Sequence, residues 1–366
     1  MTSELGRRLA RRIAVAGPMS VAEFMAEALG HPTLGYYRRA LPIGADGDFT
    51  TAPEISQMFG ELLGAWLAER WQAMGRPSPV RLVELGPGRG TLMADALRAT
   101  RGVPGFHGAL DLRLVEISKP LRALQETVLS GYRPAWHERF DDVPEGPLLL
   151  IANEFFDALP VRQFERTAHG WNERMVGLAP DGTTLAFALS PGPSPFARLL
   201  PAALRDGDSP PGTVAEISTA AIDLANRIAA RLVQQRGWSL IVDYGRDAPA
   251  AGATFQALRG HRPVDPLERP GETDLTAHVD FAALAETARA GGARVFGPTG
   301  QGTFLRRLGI EQRADALKGR ATAEQRDAID AALARLIAPG QMGTLFRVLA
   351  MGDDRSPAPA GFSDET

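Results

Sequence analysis

Residues 81–92 read RLVELGPGRGTL. An apolar stretch runs into an acid, Glu84, and glycines then alternate at Gly86, Gly88 and Gly90, with Pro87 between the first pair, before a helix-forming run. Glycine in such a turn permits backbone angles and a close ligand approach that a Cβ would block. A turn that seats a pyrophosphate on a helix N-terminus favours the spacing G-x-G-x-x-G. Thr91 stands where that third glycine would fall. The spacing therefore departs from a phosphate cradle, and an acid two residues before the first glycine suits a ligand that carries positive charge.

The flanking sequence continues this rhythm of strand and helix. A helix is expected over 91–100, a strand over 111–116 and a helix from Ser118-Lys-Pro120, while apolar runs at 148–152 and 239–242 complete four parallel strands. Such alternation specifies an α/β, Rossmann-like doubly wound sheet with ligands at the carboxyl ends of the strands. Upstream, 51–75 reads as the clearest helix. Thr51-Ala-Pro-Glu54 has capping-box spacing, Gly75 can end the run, and Ile55, Met58, Phe59, Leu62, Leu63, Trp66 and Leu67 form a core-facing stripe. The loop GADGDFT at 44–50 ends at this helix start, a place from which it can close over a ligand. Leu5, Leu9 and Ile13 recur at a four-residue step and predict a helix near the N-terminus.

Between 160 and 237 the rhythm breaks. The proline- and glycine-rich stretch 179–213 reads as an insertion on the functional edge of the sheet, returning through a helix at 214–235. Residues 254–280 form a second long polar segment, and loops of that length in a compact domain are usually functional. Residues 311–338 read as helical and 344–351 as a closing strand. The expected organisation is an N-terminal helical region with a closing loop (1–79), a ligand-binding core (80–160 and 237–351), an inserted substrate-side subdomain (161–236) and a disordered tail (352–366).

Composition narrows the class. Of 366 residues, 44% are hydrophobic and 23% charged, as in ordinary globular proteins, and no apolar run has membrane-spanning length, so a soluble chain without membrane insertion is expected. Forty basic against 43 acidic residues give a net charge of −3, which offers a phosphate backbone no broad attraction; nucleic acid is not an expected partner. The absence of cysteine excludes disulfides, thiolate metal sites and thiol nucleophiles, and six dispersed histidines argue against a metal centre. Arg7, Arg8, Arg11 and Arg12 superficially resemble a transit peptide, but the apolar step of Leu5, Leu9 and Ile13 favours a structural helix and a cytoplasmic location.

The glycine loop is similar to the S-adenosyl-L-methionine (SAM) loop of methyltransferases. SAM carries a sulfonium and an amino-acid tail, for which Glu84 is an electrostatic match. Glu116, with Ile117 beside it, ends the next strand, where a carboxylate can accept both ribose hydroxyls of an adenosyl cofactor. Asp141, in Arg139-Phe-Asp-Asp142, would lie near the adenine. The run Asn153-Glu-Phe-Phe-Asp-Ala-Leu-Pro160 directly follows a strand and faces the place where a methyl acceptor must approach. Methyl transfer is a direct displacement, so a protein contributes alignment, charge stabilisation and, where the acceptor loses a proton, a base. An arginine acceptor is always charged and must be gripped by carboxylates, a task Glu154 and Asp157 could perform. Asn153 and Phe156 also fit the pattern of amino methyltransferases of adenine, although Glu154 and Phe155 replace its two prolines. Asp243-Tyr-Gly245 and His278-Val-Asp280 are further candidates for the acceptor pocket.

Taken together, GYY at 35–37, GDFTTAPEISQMFGELLG at 47–64, VELGPGRGTL, NEFFDALPV at 153–161, DYG at 243–245 and DPLERPGETDLTAHVDF at 265–281 resemble the MidA family of SAM-dependent methyltransferases, related to a mitochondrial complex I assembly factor. The resemblance runs from about 17 to 349. It implies a class I methyltransferase fold and SAM as cofactor, held by Glu84, Gly86, Pro87, Gly88, Gly90, Glu116, Ile117 and Asp141, with Asp48, Phe49, Thr50 and Thr51 closing over its methionine end. Asn153, Glu154, Asp157 and His278 are the expected catalytic group. For the mitochondrial relatives it implies symmetric dimethylation of an arginine on the NuoD-type core subunit of respiratory complex I; an early start to the resemblance points to a bacterial-type member. A small-molecule acceptor, or an assembly factor that binds SAM without turnover, are the competing expectations, and a homodimer is compatible with the sequence.

Overall fold

A computed structural model describes residues 3–39 and 51–363. Asp48, Phe49, Thr50 and the expected closing loop lie outside the described residues. The chain forms two compact units, each drawn from three segments: 1–49, 157–224 and 248–283 in the first, 50–156, 225–247 and 284–366 in the second.

The second unit is built on a central sheet of β1 (Val80–Leu85), β2 (Leu110–Val115), β3 (Ala135–His137), β4 (Leu148–Asn153), β5 (Gly237–Arg246), β6 (Arg294–Gly300) and β7 (Phe346–Gly352), in the order β3-β2-β1-β4-β5-β7-β6. The first five are parallel, and β7 runs antiparallel to both β5 and β6. Residues 148–153 are wholly buried, as expected of a central parallel strand covered on both faces. The helices of this unit include α1 (Ala52–Ile55), α2 (Gln57–Ala73), α3 (Thr91–Ala99) and α4 (Lys119–Val128). The apolar stripe of α2 is buried from Met58 to Leu67. Its crossing with α3 is close because Gly60 and Gly64 lack side chains: a Cβ on Gly64 would lie 2.6 Å from the Ala96 Cα.

Several expectations need correction here. The helix expected over 51–75 breaks at Ser56, whose hydroxyl caps α2 by accepting from the Met58 N–H at 3.2 Å. Thr51 precedes α1 but makes no side-chain cap, and Glu54 instead accepts from the Thr91 hydroxyl at 2.5 Å. The helix expected over 311–338 is two, Ile310–Lys318 and Ala323–Ile337, the second opened by a capping box from Thr322 and Gln325. Residues 353–363 are not a disordered tail. Asp353 is buried and accepts from the N–H groups of Arg355 and Ser356, Trp66 and Arg70 donate to carbonyls of Ala360 and Pro357, and the Phe362 ring packs at a tilt against Phe296 and Phe304.

The first unit joins an antiparallel sheet, formed by Met19–Ser20, Arg162–Thr167, Gly170–Leu178, Leu185–Pro193 and Val214–Ile217, to a small one of Gln256–Arg259, Arg262–Val264 and Asp274–Thr276. Leu5, Leu9 and Ile13 of the helix Glu4–Ala16 pack into the same core as Val161, Val176, Leu185, Phe255 and Leu275. The residues expected as an N-terminal region and as an insertion thus share one core, with the first boundary at 49/50 rather than 79. The proline-rich stretch carries a nine-residue strand, Leu185–Pro193, because its prolines fall at the strand's end, and the segment 254–280 carries three short strands. The expected helix at 214–235 begins only at Thr219, after a strand.

Candidate active site

The glycine turn is the hinge between β1 and α3. Gly86, Gly88 and Gly90 have φ of 61°, 53° and 84°, left-handed values that favour glycine. The Gly86 N–H donates to the Val115 carbonyl at 3.0 Å, which ties the turn to the end of β2. A Cβ on Gly86 would sit 2.7 Å from a ring carbon of Phe155, so the loops after β1 and β4 touch at this point.

Three acceptor groups stand at the ends of neighbouring strands. Glu84 is buried with Oε2 lacking a hydrogen-bond partner, and burial, reinforced by the like charge of Glu116, pushes its carboxyl up to about 8. Glu116, also buried, accepts from the Ser118 N–H at 2.7 Å and the Gln125 amide at 3.2 Å; burial still holds it above the usual carboxylate range. Asn153, at the end of β4, leaves Oδ1 buried and unpartnered. SAM brings what this set lacks: ribose hydroxyls and an ammonium as donors, and positive charge beside two carboxyls whose burial is costly on their own. The residues fit the cofactor.

Glu154 follows Asn153 at φ 49°, a left-handed conformation uncommon for a residue with a Cβ. Its N–H donates to the Val242 carbonyl at 2.9 Å, and its Oε1 accepts from the Ala52 N–H at 2.9 Å and the Asn153 amide at 3.2 Å. Burial pushes this carboxyl up to about 7, with Asp243 adding to the effect and the two donors opposing it. Asp243 is fully buried and anchors the turn, accepting from the N–H groups of Phe155 and Phe156 at 3.0 and 2.8 Å. It is thus bonded to the turn's backbone.

The other expected residues have local partners of their own. Asp141 pairs with Arg227 at 2.5 Å and Arg139 at 3.6 Å on the surface of the second unit. Asp157 and His278 belong to the first unit, where the Ala277 N–H donates to the Asp157 carbonyl at 3.0 Å and the His278 N–H to the Thr254 hydroxyl at 2.9 Å. In that unit the Tyr37 hydroxyl donates to Asp274 at 3.3 Å, and burial, with the charges of Asp274 and Asp157, drives it well above the usual phenol range. Three quoted motifs therefore converge there, although the sequence reading singled out neither Tyr37 nor Asp274. Gln125 was missed as well. Its signal was a polar residue four positions after Leu121 on the buried side of α4.

A sheet of this order, with a glycine turn after β1 and acids at the ends of β1 and β2, defines a class I SAM-dependent methyltransferase. A family model described as "Putative S-adenosyl-L-methionine-dependent methyltransferase" matches residues 62–299, and the chain belongs to this family. The chain is 38% identical over 371 residues to "Protein arginine methyltransferase NDUFAF7, mitochondrial" of Danio rerio, covering 94% of this chain and 86% of that protein. It is 35% identical to the Homo sapiens protein of the same name, over 94% and 82% of the two chains. A Burkholderia thailandensis protein solved with S-adenosyl-homocysteine superposes with a TM-score of 0.86 at 31% identity, over 98% of this chain and 93% of that one. Among the described residues no helix is long and apolar enough to cross a membrane, and no cluster of three or more His, Asp or Glu is arranged to hold a metal.

Proposed function

We propose that the protein methylates an arginine side chain of a protein substrate. The observation that carries this reading is Glu154: a buried acid, poised near neutrality, at the end of the strand beside the cofactor turn. SAM supplies an electrophilic methyl group. Glu84 and Glu116 would hold its cationic and ribose portions, and Gly86, Pro87, Gly88 and Gly90 would admit it to the backbone of the turn. An arginine guanidinium arrives as a cation with N–H donors, so contact with Glu154 favours the ionised carboxylate. When a guanidinium nitrogen gains a methyl group it must release one proton, and Glu154 is the group that would take it. Asn153 Oδ1 would accept a second N–H and fix the orientation of the nitrogen.

The names of the relatives support the same acceptor class. The resemblance to the MidA family extends the proposal to the NuoD-type core subunit of complex I as the substrate, dimethylated symmetrically, in the cytoplasm. Asp157, three residues beyond Glu154, is the proposed second carboxylate. The test is incubation of the purified protein with labelled SAM and extract from cells lacking its gene. One labelled protein band, with label recovered as methylarginine and lost in Glu154→Gln, is expected. Label confined to small molecules, or no incorporation at all, would overturn the assignment.

A further inference from the structure

We infer that Gln125 is a positioning residue, which locks the Glu116 carboxylate and the glycine turn into one arrangement for the adenosine half of the cofactor. This rests on the reading that Glu116 takes the ribose hydroxyls. Gln125 is completely buried in α4, where an unbonded amide would be strongly unfavourable. Its Oε1 accepts from the Trp136 indole at 2.8 Å, while Nε2 donates to the Gly88 carbonyl at 2.7 Å and to Glu116 Oε2 at 3.2 Å. The orientation of the amide has no alternative. An indole N–H can only donate, and a backbone carbonyl and a carboxylate accept, so a flipped amide would lose all three bonds.

The other carboxylate oxygen of Glu116 is held by the Ser118 N–H at 2.7 Å. With both oxygens bonded, the carboxylate plane is fixed and spare lone pairs remain for ligand hydroxyls. The Gln125 Cα and Cγ also lie 3.5 Å from where a Gly90 Cβ would be, so the stem of the same side chain backs the turn whose carbonyl its head grips. One residue thereby sets the spacing between the carboxylate that would receive the ribose and the turn that the cofactor approaches.

The experiment is calorimetry of S-adenosyl-homocysteine and of 5′-methylthioadenosine, which keeps the ribose but lacks the amino-acid tail. Gln125→Met preserves length and packing and removes all three bonds. Both ligands should weaken by about tenfold, the worth of a hydrogen bond to a charged group, and by the same factor. In a Glu116→Gln background the same change should cost less than about threefold, since residues acting through one another are not additive. Wild-type affinity in Gln125→Met, or an equal loss in both backgrounds, would overturn the inference. Should Gln125→Met not fold, Trp136→Phe frees the amide to turn and carries the same expectation of non-additivity. Unchanged affinity in Glu116→Gln alone would overturn the ribose reading, whereas weakening in Glu116→Gln with none in Gln125→Met overturns only the role of Gln125.

Discussion

Glu84 and Glu154 show how burial sets chemistry one residue at a time. Both are acids at the ends of central strands, yet among the described residues Glu84 has an orphaned oxygen and no hydrogen-bond donor to its carboxyl, whereas Glu154 has two, and the first is pushed further. The consequence for stability follows from linkage. The folded state holds the Glu84 proton up to about pH 8, whereas an ordinary carboxyl gives it up near 4.5. The stability this group contributes is therefore complete below about pH 4.5 and lost as the pH rises through 8. Glu84→Gln keeps the neutral form at every pH. In thermal melts without ligand, wild type should lose ground to Glu84→Gln progressively between pH 5 and 8; parallel curves would show that the carboxyl is not raised. For Glu154 the same direction means that kcat/KM, which reports the free protein, should climb with pH through about 7 as the carboxylate ionises, while kcat rises at lower pH because the bound guanidinium favours the carboxylate. Initial rates of methylation at substrate well below KM across pH 6 to 8 measure this rise.

At the level of elements, α4 illustrates what was legible and what was not. Ser118 and Pro120 announce its start, and in the structure the Ser118 hydroxyl accepts from the Leu121 N–H at 3.4 Å. Ser118→Ala should cost about 1 kcal/mol, the usual worth of an N-cap. A drop in Tm of a few degrees, with S-adenosyl-homocysteine affinity nearly kept because the Ser118 N–H still reaches Glu116, is the expected result. The parallel strands were readable because burial on both faces leaves continuous apolar runs such as LLLIA at 148–152. The turn at Gly86, Gly88 and Gly90 and the places of Glu84 and Glu116 at strand ends were readable because a turn and its flanking acids are local. Long-range pairing was not. The strand Leu185–Pro193 hides in a proline-rich stretch because its partner, Gly170–Leu178, supplies a bonding edge that composition does not reveal. The bonds of Gln125 reach 37 residues back to Gly88 and 11 forward to Trp136, and no spacing rule anticipates them.

For the whole molecule, residues 357–362 pack against the core. Arg70 is buried beside the Trp238 ring and donates to the Pro357 carbonyl, while Phe362 fills the space between Phe296 and Phe304. Arg70 keeps its pair with Glu69, but deleting 357–366 removes the carbonyls that accept from Arg70 and Trp66 and opens a cavity where Phe362 packs, and each such loss costs about 1–3 kcal/mol. A fall in Tm of at least about 5 °C should follow, and a melt equal to that of the full chain would contradict this packing. The tail was misread because its prolines and acids suggest a solvated segment, whereas the carbonyls of Pro357 and Ala360 and the Phe362 ring tie it down. A different consequence attaches to the alternation of segments. With three segments in each unit, the chain crosses from one to the other five times. Neither unit exists as a contiguous stretch of gene, so recombination cannot trade one as a cassette. Exchange of a whole unit would need several coordinated crossovers, with every intermediate still folding as one polypeptide.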